Sequence, residues 1–418
     1  MNYVFITLDI YDMGGLQFYV SNKAKWLGEH GYQTIVFSAN LPNKECQIKG
    51  LEMYSQFALW PLLYRPYIIS PMLVKETLKY MLNEVKKNLG EGETIVESHY
   101  AIGACWGELL AQKLHAKNFV FMLGEQYEGD MYVETTDFLK WKYDRHALAG
   151  NHVSTIKKVL HDNSIPEDKE YCLMAYEGNE LVDINCSIID ELEECDFRIG
   201  LLSRMEKGYV KYIFQAIHQF SISHPDKKIQ FVAVGEIGSN HDLLDILKDV
   251  DNVRLITTGN LTPIPKVFAD KIDIAIAGSG CAYLLAQAGA PVIVSEASVY
   301  YAMGIYGYDV MDILYSNKTK NYTETEIVNS YVKYLNLWFD KKICKKDITL
   351  LSFSDETDEY LKHFRFQKQM IDDGQYWEIL KIESISKMTL KEKLWPTVYT
   401  YFGIKVGNLL NRIAHKNR

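Results

Sequence analysis

The chain has 418 residues, 48% of them hydrophobic and 24% charged, with a net charge of −9 at pH 7. That length exceeds one ordinary core and implies two domains, and the balance excludes a disordered or fibrous chain. The acidic total argues against general nucleic-acid binding, and no run reaches the roughly 18 uninterrupted apolar residues of a bilayer span.

The elements read from the N-terminus as strand, loop, helix, strand. Residues 3–8 form a β-rich run, followed by a turn-prone stretch with Asp12, Gly14 and Gly15. Leu16, Tyr19, Val20, Ala24 and Leu27 then recur at helical spacing up to Gly31, and 34–38 is a second buried strand. Such a βαβ unit demands a parallel sheet. Strands at 94–97 and 118–122 flank a helix over about 103–114, residues 138–163 read as helical, and 165–194 is acidic and irregular. At Phe197 the same grammar restarts. Strands are expected at 197–202, 228–234, 253–257, 272–277 and 291–294, with helices over 209–223 and 281–288. The expected fold is therefore α/β, with two doubly wound Rossmann-like domains facing across a cleft. The boundaries are 1–190 for the first, 197–365 for the second, 366–386 for a helix packing back on the body and 387–418 for a basic amphipathic tail.

Ligands of open α/β sheets lie beyond the carboxyl ends of the strands, so the loops there are the candidate sites. Gly14 and Gly15 follow the first strand and allow positive φ and close backbone approach; the plain alternative is a tight turn. Arg204 and Lys207 stand at the mouth of the helix after 197–202, a position suited to a diphosphate, or else form a solvated basic turn. Gly278, Ser279, Gly280 and Cys281 open another helix with uncovered backbone N–H groups, an anion nest. Gly235 and Glu236 follow a further strand. His99 and Glu125 follow two strands of the first half and are candidate acid–base groups; the alternative for His99 is a structural histidine. Neither a P-loop nor a dinucleotide GxGxxG is present.

These residues, taken in order, resemble GT-B fold glycosyltransferases, especially family 4. Asp12-Met-Gly-Gly-Leu-Gln17 with Ala24-Lys-Trp-Leu-Gly-Glu-His-Gly31 is similar to the start of their acceptor domain. Ile199-Gly-Leu-Leu-Ser-Arg-Met-Glu-Lys-Gly208 is similar to the donor-domain signature, in which Arg and Lys hold the donor diphosphate. Asn252–Gly259 and Asp273–Ala277 follow in the family's order, and Ala286-Gln-Ala-Gly-Ala-Pro-Val-Ile293 is close to its A-x-x-G-x-P-V-I run. The similarity spans roughly residues 1–300. One departure stands out: two glutamates eight positions apart, usual before that run, are replaced by Ile276 and Leu284, and no acid occurs from Ile274 to Ser295. Glu236 or Glu296 could stand in for part of that function.

The resemblance implies a metal-independent transferase without a cofactor, passing a sugar from a nucleotide-diphosphate sugar to a saccharide or lipid-linked acceptor in surface-polysaccharide assembly. The alternatives are a catalytically inactive GT-B-like partner or scaffold, for which the missing glutamates speak, and a nucleotide-sugar epimerase. An aromatic stretch over 54–67 could form the acceptor side or be ordinary core. Seven scattered cysteines without CxxC spacing fit reduced, mostly buried thiols, and with no secretory leader a cytoplasmic location is expected. The segment 387–418 carries seven Lys or Arg against Glu392, a net of +6, which leaves −15 on the rest. Leu394, Val398, Phe402, Val406, Leu409 and Ile413 fall at helical spacing there, so the tail is expected to touch the inner face of a membrane or to pack back on the body.

Overall fold

The computed structural model describes residues 1–7, 10, 14–39, 59–123, 133–167, 169–175, 180–238, 240, 242–311, 321–349, 356–385 and 390–414. Two compact units emerge: Met1–Glu177 with Ser354–Arg418, and Gly178–Phe353.

In the first unit, β1 (Asn2–Thr7) leads to α1 (Gly15–Glu29), β2 (Gln33–Ser38), α2 (Pro71–Asn88), β3 (Thr94–Ser98), α3 (Tyr100–Leu114) and β4 (Lys117–Met122). α4 (Thr136–Asp144), β5 (Leu148–Gly150) and α5 (Val153–Val159) follow, so 138–163, expected to be helical, is broken by a strand. The three residues of β5 are buried and pair with β4, a tertiary gain that outweighs the helical spacing around them. The sheet order is β2-β1-β3-β4-β5, all parallel. Every residue of β1 is buried because helices cover both faces, which is why it reads as a continuous apolar run.

The second unit begins with β6 (Leu181–Val182) and α6 (Ser187–Asp190). It continues through β7 (Phe197–Leu202), α7 (Gly208–Ser223), β8 (Ile229–Val234), α8 (Asp242–Asp245), β9 (Val253–Gly259), β10 (Ile264–Pro265) and α9 (Lys266–Lys271). It closes with β11 (Ile274–Ala277), α10 (Ser279–Gln287), β12 (Val292–Ser295), β13 (Ala302–Ile305) and α11 (Glu324–Phe339). Its sheet runs β13-β12-β11-β7-β8-β9 and is parallel except for β13, an antiparallel edge strand. α11, which packs beside α7, carries the Thr323–Glu326 capping box at its start.

The chain then returns to the first unit. α12 (Glu356–Lys368) buries Tyr360, Phe364 and Phe366 in the same cluster as Tyr3, Tyr19 and Trp26, although its position within 197–365 implied the second domain. Residues 366–386, expected to be a helix, hold the end of α12 and, among the described residues beyond it, a 3-10 turn at Ile379–Lys381; Ile379 is fully buried against the first unit. α13 (Leu390–Ala414) packs on α2. Among the described residues, no helix is long and apolar enough to cross a membrane. Of the described cysteines only Cys105 is buried and the others are half-exposed, so the expectation of mostly buried thiols does not hold.

Candidate functional site

Each of the two larger sheets has a place where successive connections leave in opposite directions, and such a switch point opens a crevice beyond the strand ends. In the second unit it lies between β7 and β11, because β8 and β9 lie on one side of β7 while β11 and β12 lie on the other. Leu202 and Ala277, the last residues of β7 and β11, are paired partners. Neighbouring strands are about 4.8 Å apart, so the loops 203–207 and 278–280, each leading into a helix, start side by side. The predicted diphosphate elements, Arg204 with Lys207 and Gly278 to Cys281, are thereby brought to one crevice.

Both helices present open N-termini. α7 is preceded by Lys207 at its N-cap, and no side chain caps it or places an acid in its first turn. α10 likewise starts from Gly278 without a side-chain cap or an early acid. The first N–H groups of a helix have no partner within it, and the helix dipole adds positive potential there. Ser279 is held at φ 46°, a left-handed conformation uncommon for a residue with a Cβ. Residues 278–281 are half-exposed, and Arg204 is exposed and paired with Glu206 at 3.3 Å.

The loop carrying Arg204 is fixed from beneath. Gly235, at φ 146°, lies so close to the Ser203 carbonyl and the Met205 side chain that a Cβ would collide with both. Asn240 Nδ2 donates to the Met205 carbonyl at 3.2 Å, and the Ser203 and Tyr209 hydroxyls bond at 2.8 Å. Tyr300, at φ 61°, lies over Gly208, where a Cβ would fall 2.5 Å from its ring. It stacks with Tyr212 at 5.9 Å. Tyr209, Asn240 and Tyr300 were missed in the sequence. A lone Tyr or Asn carries no motif, and only the fold brings them to the loop.

Glu236 is exposed and its backbone N–H donates to Asn260 Oδ1 at 3.1 Å. Glu296 is buried and accepts from the Ser298 N–H and hydroxyl and from the Val299 N–H, so its carboxylate organises the turn between β12 and β13. Ile276 lies in the core of β11, and Leu284 faces the core from α10.

In the first unit the switch point lies between β1 and β3. Gly14 is extended at φ −161° and Gly15 begins α1, so neither uses positive φ, and the need for glycine inferred from that conformation does not hold at either position. α1 nevertheless opens there without a side-chain cap. Asp12, Glu125 and residues 54–58 of the aromatic stretch lie outside the described residues. His99, which follows β3 and stands at the N-cap of α3, is fully buried: its ring stacks on Phe5, meets Tyr19 and Phe121 edge-on, and Nδ1 donates to the Phe121 carbonyl at 3.1 Å. Burial holds this imidazole down at about 4, so it is neutral with its lone pair on Nε2, 3.7 Å from Glu97 Oε1.

Behind His99 lies a polar cluster that the sequence concealed. Lys23, Glu97 and His363 are all fully buried. Lys23 Nζ donates to Glu97 Oε2 at 2.6 Å, Tyr19 OH donates to Glu97 Oε1 at 2.7 Å, and Tyr3 OH also donates to this carboxylate. His363 Nδ1 accepts from Lys23 at 3.1 Å while Nε2 donates to the Met174 carbonyl at 2.8 Å. Burial alone would push the Glu97 carboxyl up; the Lys23 ammonium overrides it and holds the group at about 2. Lys23 sits on the apolar face of α1, four residues after Tyr19, where spacing alone reads as a solvated charge.

No protein-family model matches the sequence, and no curated protein matches it. Solved structures do match its fold. A glycosyltransferase from Rickettsia africae ESF-5 aligns over 91% of this chain and 96% of its own, with a TM-score of 0.56 and 14% identity. Sucrose-phosphate synthase from Thermosynechococcus elongatus aligns over 88% and 98%, with a TM-score of 0.51 and 13% identity. At these identities the likeness is one of fold: α/β, GT-B-like, with two Rossmann-like domains.

Proposed function

We propose that the chain is a glycosyltransferase that takes a nucleotide-diphosphate sugar at the switch point of its second unit and passes the sugar to a saccharide or lipid-linked acceptor. The observation that carries this reading is the pairing of Leu202 with Ala277, which starts two uncapped helix N-termini and the Arg204–Lys207 cations from adjacent strands. In the transfer, the bond between the sugar's anomeric carbon and the phosphate oxygen breaks and negative charge grows on the departing diphosphate. Arg204, Lys207 and the N–H groups at Ser279 and Gly280 would stabilise that charge, fixed before the reaction begins. Gly235 and Asn240 would hold the cationic loop in place. On the acceptor side, His99 serves as a positioning group of the β3–α3 turn, and Glu125 is the candidate base.

The runner-up is a GT-B-like partner protein without catalysis, favoured by the absence of any acid from Ile274 to Ser295. A nucleotide-sugar epimerase is the third reading. Thermal-shift measurements with a panel of nucleoside diphosphates and their sugars, paired with an assay for diphosphate release, separate them. Stabilisation by one base and release of its diphosphate supports the transferase. Stabilisation without turnover supports the inactive partner, and isomerised sugar without release supports the epimerase. Indifference to every nucleotide overturns the reading.

A further inference from the structure

α13 carries apolar side chains on its outward side as well as on the side that packs on the body. A helix laid on a body buries its apolar stripe and exposes its polar side. Here the buried positions are Pro396, Tyr399, Ile404 and Gly407, while Leu394, Tyr401, Phe402, Leu409 and Ile413 are exposed, Tyr401 by 81% and Phe402 by 59%. The stripe expected from sequence to form one amphipathic face is thus largely turned outward.

The helix is also bent. Gly403, at φ 75° and ψ 169°, interrupts it. The Tyr399 ring packs on Gly407 so closely that a side chain there would collide, and its hydroxyl donates to Asn408 Oδ1 at 2.8 Å. Residues nine apart would lie about 13 Å apart along a straight helix, so this bond closes an elbow whose outer side is Tyr401 and Phe402. The elbow is anchored: the Thr400 hydroxyl lies 2.9 Å from that of Ser70, the N-cap of α2, and Trp395 meets Trp60 edge-on.

Charge identifies what covers the elbow. Lys393 and Lys405 are exposed on either side of it, and 387–418 carries +6 against −15 on the rest of the chain. A second copy of the chain would set these cations against one another across a two-fold interface. An anionic lipid surface would attract this end and repel the remainder, and exposed aromatic and aliphatic side chains enter the headgroup boundary favourably. We propose that the elbow of α13 docks the protein on an anionic membrane surface, with Tyr401 and Phe402 entering the interface and Lys393 and Lys405 meeting the headgroups. The proposal is independent of the nucleotide-sugar reading.

Co-sedimentation of the full chain with phosphatidylcholine vesicles, with and without phosphatidylglycerol, tests it. Binding is expected only with phosphatidylglycerol, and to weaken as salt screens the charges. Tyr401→Ser with Phe402→Ser, both exposed, should keep the parent Tm and lower vesicle affinity at least tenfold; Lys393→Glu with Lys405→Glu should do the same. The proposal is overturned by absence of binding to anionic vesicles or by unchanged binding of the serine variant. It is equally overturned if light scattering shows a dimer that the serine substitutions dissolve while vesicles bind nothing.

Discussion

At Gly235 the φ of 146° and the Ser203 carbonyl together leave no room for a side chain. Gly235→Ala is expected to cost upwards of about 2 kcal/mol, from left-handed strain and from pushing the Arg204 loop aside. Urea unfolding reads the stability; a nucleotide-induced thermal shift smaller than the parent's reads the displaced loop. Lys23 and Glu97 make a second residue-scale case. Removing one member of a buried pair leaves an unpaired charge, so Lys23→Met should destabilise by about 3–5 kcal/mol, and adding Glu97→Leu should recover much of it. The cluster also sets a pH dependence. His99 and His363, held by burial at about 4 and about 3, stay neutral in the fold while an unfolded histidine takes its proton near 6.5. The unfolded state then binds more protons across that interval, so stability falls as pH drops from 6.5 towards 3. Glu97 adds a loss below 4.5 as its carboxyl approaches about 2. Tm measured from pH 7 to 4 should decline steadily, and His363→Gln should flatten the decline. A Tm independent of pH would refute the assignment.

At the scale of elements, α7 and α10 matter because both begin at the same pair of strands. Ser279 starts α10 in the left-handed region, so Ser279→Gly should leave stability unchanged or raise it by up to about 1 kcal/mol, measured as a shift in Tm. Thr323→Ala, which removes the capping box of α11, should cost about 1 kcal/mol on the same assay. These elements also show what sequence alone discloses. β1, α1, β7 and α7 were legible because continuous apolar runs and helical spacing agreed with their buried faces. α2 was missed although Ser70 and Pro71 are a helix-start signature, because the proline-broken stretch before it masked the period. β5 was missed because three residues carry no period, and β13 because an edge strand's pairing partner is set by the fold. In the site, the Arg204, Lys207 and Gly278 loops were visible as residue types at strand ends. Their adjacency was not visible, since it depends on strand order, nor were Tyr300 and Asn240, which act through distant contacts.

For the whole molecule, the two larger sheets are each interrupted by a switch point, and the charge of an acidic body is reversed in one basic segment. These features serve the two proposals at separate places: a nucleotide at the second sheet and a membrane surface at α13. The proposed function places the diphosphate where β7 and β11 end. Isothermal titration of the full chain with UDP, GDP, ADP and TDP, alongside Arg204→Ala with Lys207→Ala, tests it most directly. One nucleotide is expected to bind with Kd below about 1 mM, and the double variant, folded by its Tm, to bind it at least tenfold more weakly, a difference of about 1.4 kcal/mol or more. Binding undiminished in the double variant, or no binding of any nucleotide to the parent chain, would contradict it.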